Sequence, residues 1–282
     1  MFTSHLTDDV MQPALDGQPG IIHATMLPFL TLTAHYLVAV NLLIACVQVV
    51  LGICMLTGKL ERPALAASIL WSFMVWYGGE GLCGLLTGQS SALTGAPGPV
   101  LLYALLAFAV YPGGSGALQF LSRPVVLRRI LAGFWILAAV LQLQPAWWQS
   151  GAISQVIAAN QAPGTLNGRL LDPMLTWLSG ITSPIEAPLN IGLIGICLAL
   201  AFSLLTLRVK YVNIALAGSI TASTAIWVCT QGCGLLLTGG STDVNLGPLL
   251  VLLALVCWNG SIEQRVWSGE KLRLARVQPL PG

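Results

Sequence analysis

Polar residues in this chain fall in clusters, and the stretches between them are almost wholly apolar. Apolar runs occupy about residues 32–57, 63–87, 98–112, 127–146, 187–207, 211–238 and 247–262. About 20 apolar residues are needed to cross the hydrocarbon of a bilayer as a helix. In lipid the backbone must satisfy its own polar groups, which favours helices over open strands. The pattern therefore predicts an all-α, polytopic membrane helix bundle with about seven transmembrane helices. The third and seventh runs are short. Gly98-Pro99 opens the third and Pro112 closes it.

Composition agrees with this reading. Only 8% of the 282 residues are charged and 56% are hydrophobic, whereas a soluble domain carries roughly 25% charged residues. A solvated globule is excluded. The basic residues are placed asymmetrically. Lys59, Arg62, Arg123, Arg128, Arg129, Arg208, Lys210, Arg265, Lys271, Arg273 and Arg276 fall on alternate connections and the tail, and only Arg169 falls on the opposite side. Positive charge collects on the cytoplasmic side. This places the C-terminus inside and the N-terminus outside, as expected for a multi-pass protein of a bacterial cytoplasmic (inner) membrane. The expected organisation is an extracytoplasmic segment 1–31, a three-helix unit 32–112, a linking helix 127–146, an extracytoplasmic connection 147–185, a second three-helix unit 187–262 and a cytoplasmic tail 263–282. The basic loops meet the needs of topology, so nucleic acid is not an expected partner. The N-terminus has no basic stretch before an apolar core and does not read as a cleaved signal peptide.

Two stretches match without a gap. Residues 76–88 read WYGGEGLCGLLTG and residues 227–239 read WVCTQGCGLLLTG, each followed by a polar loop and then Gly-Pro with a leucine-rich run. Asn41 lies 35 residues before Trp76, and Asn190 lies 37 before Trp227. Upstream, GQPG (17–20) precedes Pro28 much as NQAPG (160–164) precedes Pro173. The chain thus reads as two internal repeats. Four spans separate equivalent helices, so the repeats run parallel, related by an axis along the membrane normal. The helix before the second unit has no counterpart before the first. Either that helix was lost or the chain's start lies further upstream.

The repeated stretch supplies the candidate site: Glu80 and its counterpart Gln231, Trp76 and Trp227, Thr87 and Thr238, and the upstream Asn41 and Asn190. Glu80 is the one carboxylate expected within a span, where a charge must be paired, protonated or wet. It reads as a proton or cation coupler, a substrate contact or a hydrogen-bonded packing residue. Gly81, Gly84 and Gly88 have spacings that would put them near one helix face, where small residues let helices approach closely. Thr87-Gly88 and Thr238-Gly239 read as helix ends capped by left-handed glycine. Pro99 and Pro248 read as first-turn residues of the following helices, and Asp243 or Asn245 as a cap. Cys229 and Cys233 would share a helix face. The seven cysteines form no CxxC pair, and the histidines form no ligand set, so no metal site is expected. No P-loop, dinucleotide fingerprint or hydrolase motif is present, which leaves an enzyme as the third-ranked reading and the cofactor unspecified.

The run ALAASILWSFMVWYGGEGLCGLLTGQSSALTGAPGPVLLYALL (64–105) resembles a family of uncharacterised bacterial multi-spanning membrane proteins with the pattern W-x-x-GEG-x-G-x-LLTG…TGAPG-x-x-LLYALL. The stretch ILAGFWILAAVLQLQPAWW (130–148) is similar, more distantly, to the opening helix of DoxX-like four-helix membrane proteins. That likeness implies a redox subunit or an accessory to quinone-linked oxidation, and it carries over no residue. Two functions follow as expectations. One is a non-catalytic DoxX-like accessory that binds a lipophilic molecule, a quinone or a membrane or periplasmic partner at its outer face, with membrane lipid around it. The other is a small-solute permease with Glu80 as coupling residue.

Overall fold

The computed structural model describes residues 4, 6–112, 120–206, 208–241 and 243–258, and no strand occurs among them. A short helical lead over Leu6–Leu15 is followed by α1 (Gly20–His35), α2 (Leu37–Thr57), α3 (Glu61–Gly78) and α4 (Pro99–Ala109). Then come α5 (Pro124–Gln142), α6 (Ala152–Ala159), α7 (Leu166–Thr182), α8 (Glu186–Leu205) and α9 (Val209–Thr230). The last described helix is α10 (Leu246–Trp258). Leu37–Thr57, Pro124–Gln142, the run Leu166–Leu205 and Val209–Thr230 are long and apolar enough to cross a membrane, and Pro99–Ala109 and Leu246–Trp258 are shorter apolar helices. The expected tail 263–282 lies outside the described residues.

Three expectations need correction. The first apolar run is two helices, because the backbone leaves helical geometry at Tyr36 (φ −115°, ψ 37°). The connection 147–185 is largely helical and holds α6 and α7. Most consequentially, the runs 63–87 and 211–238 are not continuous helices. α3 stops at Gly78 and α9 at Thr230. Each then enters a left-handed turn of four residues. Gly81, Leu82, Cys83 and Gly84 have φ of 57°, 55°, 51° and 67°, and Gly232, Cys233, Gly234 and Leu235 have 52°, 56°, 66° and 53°. Gly81, Gly84 and Gly88 therefore share no helix face, and neither do Cys229 and Cys233.

An L-residue in left-handed helical geometry costs about 1–2 kcal/mol, and such residues normally occur singly. Here Leu82, Cys83, Cys233 and Leu235 adopt it without the freedom of glycine. Surrounding contacts hold the turns in place. The Cys83 amide donates to the Glu80 carbonyl and the Gly234 amide to the Gln231 carbonyl, at 2.8 and 2.7 Å. Gln18 Nε2 donates to the Gly81 carbonyl at 2.7 Å and Asn167 Nδ2 to the Gly232 carbonyl at 3.2 Å. Gly88 (φ 77°) and Gly239 (φ 80°) end the two stretches in left-handed geometry.

The core lies among α4, α5, α8, α9 and α10. Trp135, Leu131, Leu204, Leu216, Leu250 and Leu253 are fully buried in it. Among helices apolar enough to cross a membrane, such burial stabilises through close packing rather than through transfer from water. The one polar atom of the Trp135 ring donates to Ser219 Oγ at 2.9 Å, so the indole enters the core without an unmet donor. α5 and α8 pack along each other extensively. α2 differs, for none of its residues is buried.

Gly247 sits where α10 meets α9. A Cβ there would lie 2.3 Å from Trp227 Cβ and 2.8 Å from the Ser223 carbonyl. Gly247→Ala is expected to destabilise the fold by about 2–3 kcal/mol through overpacking. Gly239→Ala, where a Cβ meets nothing within 4 Å, should cost only about 1 kcal/mol for its positive φ. Thermal unfolding of the purified protein in detergent ranks the two; equal losses would show that the α9–α10 contact is looser than described.

Candidate functional site at the loop end of the bundle

The loops after the two left-handed turns lie together. Gln231 Nε2 donates to the Ala92 carbonyl at 3.2 Å, bridging the second stretch to the loop of the first. A Cβ on Gly95 would stand 3.2 Å from Asn245 Oδ1. Each loop is also tied to its own tryptophan. Trp76 Nε1 donates to the Pro97 carbonyl at 2.6 Å, and Trp227 Nε1 to the Val244 carbonyl at 2.9 Å. The threonines act alike. Thr87 Oγ1 donates to the Gly84 carbonyl at 2.7 Å and accepts from the Gln89 amide. Thr238 Oγ1 donates to the Leu235 carbonyl at 2.8 Å and accepts from the Gly240 amide. These four residues shape the turns.

A buried amide network anchors the first loop. Ser91 Oγ donates to Gln142 Oε1 at 2.6 Å, and Gln142 Nε2 donates to Asn190 Oδ1 at 2.9 Å. Asn190 Nδ2 returns to the carbonyls of Gln142 and Trp147 at 3.2 and 3.3 Å. Trp147 Nε1 donates to the Ser90 carbonyl at 3.2 Å. Ser91 and Asn190 are 0% exposed, so these polar groups satisfy one another, as buried groups must. Ser91 also caps the turn Ala92–Thr94 in a capping box. Asn190 thus sits inside the protein as a clasp between α5 and α8. Asn41 is half-buried on α2.

The pattern of residues along the chain gave no signal for Glu186. It sits at the start of α8 and accepts from the Gly151 amide, from the Ser154 amide at 2.9 Å and from Ser154 Oγ at 2.6 Å. A carboxylate over the first turn of α6 complements unpaired amides and the positive end of the helix. Its partners lie more than 30 residues away, so no local spacing points to the role.

Glu80 lies beyond the end of α3, in the bend before the left-handed turn. Its Oε2 is buried with no hydrogen-bond partner among the described residues. A Cβ on Gly98 would lie 2.7 Å from that oxygen and 3.0 Å from the Trp76 ring. Asp243, from the other loop, is close enough to act on Glu80 electrostatically. Asp243 Oδ1 accepts from the Asn245 amide at 2.5 Å, and Asn245 Oδ1 accepts from the Leu246 amide at 2.7 Å, so the two side chains bond the backbone that leads into α10. Burial pushes the Asp243 carboxyl above its ordinary range, and the Asn245 amide opposes the shift.

A cavity of about 250 Å³ opens beside Asp243, lined by Asn160, Gln231, Thr238, Ser241, Asp243 and Asn245, with Val10 and the left-handed turn closing it. Four lining donors are already committed inward. Asn160 Nδ2 donates to Thr230 O, Gln231 Nε2 to Ala92 O, Thr238 Oγ1 to Leu235 O, and Ser241 Oγ to Gly234 O. The Asp243 carboxylate remains, together with Gln231 Oε1, which has no partner among the described residues. Among the described residues, no Lys or Arg lines it. No group of three His, Cys, Asp or Glu that could hold a metal occurs among the described residues. Compared with family models, curated proteins and solved structures, the chain matches none.

Two outcomes follow. Asn190→Leu strands the Gln142 amide and two carbonyls, and is expected to cost about 1–3 kcal/mol, read as a lowered midpoint of unfolding. Asp243 has a raised folded pKa, so its proton stabilises the fold at low pH and its ionisation destabilises it as pH rises. Asp243→Asn should therefore raise the unfolding midpoint at neutral pH. The gap to wild type should close as pH falls toward the ordinary aspartate value near ~4. A midpoint lower than wild type at every pH would contradict the buried setting of Asp243.

Proposed function

We propose that the protein is a non-catalytic, ligand-binding membrane component of the DoxX-like accessory kind, built from two related parallel halves with about seven spans. In this reading it lies in a bacterial cytoplasmic membrane with its N-terminus outside. The interlocked loops 88–98 and 239–247 then form its extracytoplasmic end. The halves are the ones matched by Trp76 and Trp227, by the two left-handed turns and by the Gly98 and Gly247 helix starts. The ten-residue lead Leu6–Leu15 before α1 corresponds to α6, which carries the match upstream of the repeated motif.

The cavity beside Asp243 carries the functional reading. Its lining offers the Asp243 carboxylate and Gln231 Oε1 as acceptors, while four of its side-chain donors are committed to carbonyls, which favours a ligand head that donates hydrogen bonds, such as a hydroxyl or an amine. Among redox lipids, a quinol fits this chemistry better than a quinone, whose carbonyls only accept. Inward of the loops the packing is the apolar core around Leu246, Leu249, Leu250 and Leu253. That supports binding at the outer face over passage through the bundle.

Native mass spectrometry of protein extracted in mild detergent tests this. A bound molecule with a hydroxyl or amine head is expected, with occupancy falling at least about tenfold in Asp243→Asn or Gln231→Leu, equivalent to the loss of one good polar contact. Wild-type occupancy in both variants would place the ligand elsewhere and remove this reading. The pairing of Glu80 with Asp243 favours one second reading, a permease that couples solute to protons or cations. It predicts solute flux in proteoliposomes that Glu80→Gln abolishes, whereas the binding reading predicts no flux in either protein.

A further inference from the structure

Helix α7 is tied to the bundle near both of its ends, and both ties lie at the loop end. Near its start, Asn167 Nδ2 donates to the Gly232 carbonyl in the left-handed turn that follows α9. Near its finish, Ser179 Oγ donates to the Ser154 carbonyl at 3.0 Å, beside Glu186, which opens α8. α6 makes the same bridge in reverse. Glu186 holds its first turn, and Asn160 Nδ2 donates to the Thr230 carbonyl at the end of α9. The run Leu166–Leu205 is apolar enough to cross a membrane, but its backbone breaks at Ile185 (φ −125°, ψ 23°). From that break α8 enters the bundle, while α7 runs back across the loop end. A helix of 17 residues, about 25 Å long, therefore starts and finishes at one level of the bundle.

The surface of α7 has three sides. Leu171, Leu175 and Leu178 pack inward. Leu166, Leu170, Trp177 and Ile181 follow helical spacing along a second side, and all are exposed, Trp177 at 64%. Arg169 and Thr176 lie along a third side, also exposed. Exposed apolar side chains continue down α8 as Ile191, Ile196 and Phe202, which meet lipid where α8 crosses the membrane.

The first half repeats the arrangement. The offset that relates Asn41 to Asn190 also relates Gln18 to Asn167 and Tyr36 to Ile185. Gln18 bonds the left-handed turn after α3 as Asn167 bonds the turn after α9. The backbone breaks at Tyr36 as it does at Ile185. Ile21, Pro28 and Leu32 on α1 fall where Leu170, Trp177 and Ile181 fall on α7, and all six are exposed.

We propose that α1 and α7 are interfacial helices, embedded side-on in the leaflet at the loop end, with their apolar stripes bound to lipid acyl chains. Such a helix sinks its apolar side about 5–10 Å into the boundary between headgroups and chains and keeps its polar side in water. An indole suits that level, where the ring is in apolar surroundings and the N–H reaches headgroups. Continuity with the exposed side of α8 carries the lipid contact on to α7. The inference rests on the spanning of α8. It does not depend on the ligand cavity or on which side of the membrane the loops face.

Spin labels on single cysteines test it, in the full chain made cysteine-free and reconstituted into vesicles of phosphatidylcholine and phosphatidylglycerol. Oxygen concentrates among acyl chains and a nickel chelate stays in water, so collisions with each report depth. Labels at Leu170→Cys, Ile181→Cys and Leu32→Cys should collide mainly with oxygen, at about 5–10 Å below the phosphates. Thr176→Cys should collide mainly with the chelate. Ile196→Cys, exposed in the middle of α8, should lie deeper than all of these. Chelate access at positions 170, 181 and 32 with position 196 in lipid would put the stripes above the membrane and overturn the proposal. Shielding from both reagents, which would mean that a second copy or another protein covers the stripes, would overturn it too, as would a depth equal to that of position 196. Chelate access at position 196 would overturn the spanning of α8, and this inference with it.

Discussion

Four consecutive residues held in left-handed geometry at the end of a right-handed helix are the constraint on which the rest of the structure depends. The turn occurs at 81–84 and again at 232–235, and it reverses the direction in which side chains leave the helix end. Without it, α3 and α9 would run straight on and the loops 88–98 and 239–247 would not meet. The strain in Leu82, Cys83, Cys233 and Leu235, at about 1–2 kcal/mol each, must be offset by contacts from elsewhere. Those contacts are identifiable: Gln18 on the Gly81 carbonyl, Asn167 on the Gly232 carbonyl, and the two tryptophan indoles pinning the loops that follow. Strain of this kind tends to persist where it positions a site, and the cavity beside Asp243 lies against the second turn.

The polar chemistry of the protein is layered. Beneath the loops, the apolar core around Trp135 holds the helices by burial and close packing. Within the loop layer, the Ser91–Gln142–Asn190 network and the Glu186 cap on α6 pair buried polar groups with one another and with the backbone. Above them the Asp243 cavity and Glu80 leave acceptor atoms without partners from the described chain. Rigid, satisfied polar groups next to unsatisfied ones are what a preorganised binding site requires, because the acceptors cannot relax toward each other when no ligand is present. The helices also differ in cover: α5 packs along α8, whereas no residue of α2 is buried.

The helical class, the apolar segments and several helix ends were legible from the order of residues alone. Pro99 after Gly98 opens α4, and Gly88 and Gly239 are left-handed, because proline fixes φ near its helical value and glycine alone takes positive φ at little cost. The left-handed turns were not legible by the same route. The spacing of Gly81, Gly84 and Gly88 fits a small helix face equally well, and apolar periodicity carries no information on the sign of φ. A signal was present in the comparison of the stretches: the second has glycine at 232 and 234, a spacing that no helix face explains. Asn190 was found by position, but its setting in a closed network could not be, since Gln142 and Trp147 come from elements 43–48 residues away. Asp243 or Asn245 was read as a cap; Asp243 bonds the Asn245 amide just ahead of the helix, and its place at the cavity depends on the packing of the opposite loop.

The central claim is that the two strained turns bring both loops to one face of the membrane. In a cysteine-free background, Gln89→Cys, Gly239→Cys and Lys59→Cys, all at exposed positions, can be treated in intact cells with a membrane-impermeant thiol reagent. Labelling of positions 89 and 239 from outside, with position 59 reached only after permeabilisation, is the predicted result. Labelling of 89 and 239 from opposite sides of the membrane would contradict it.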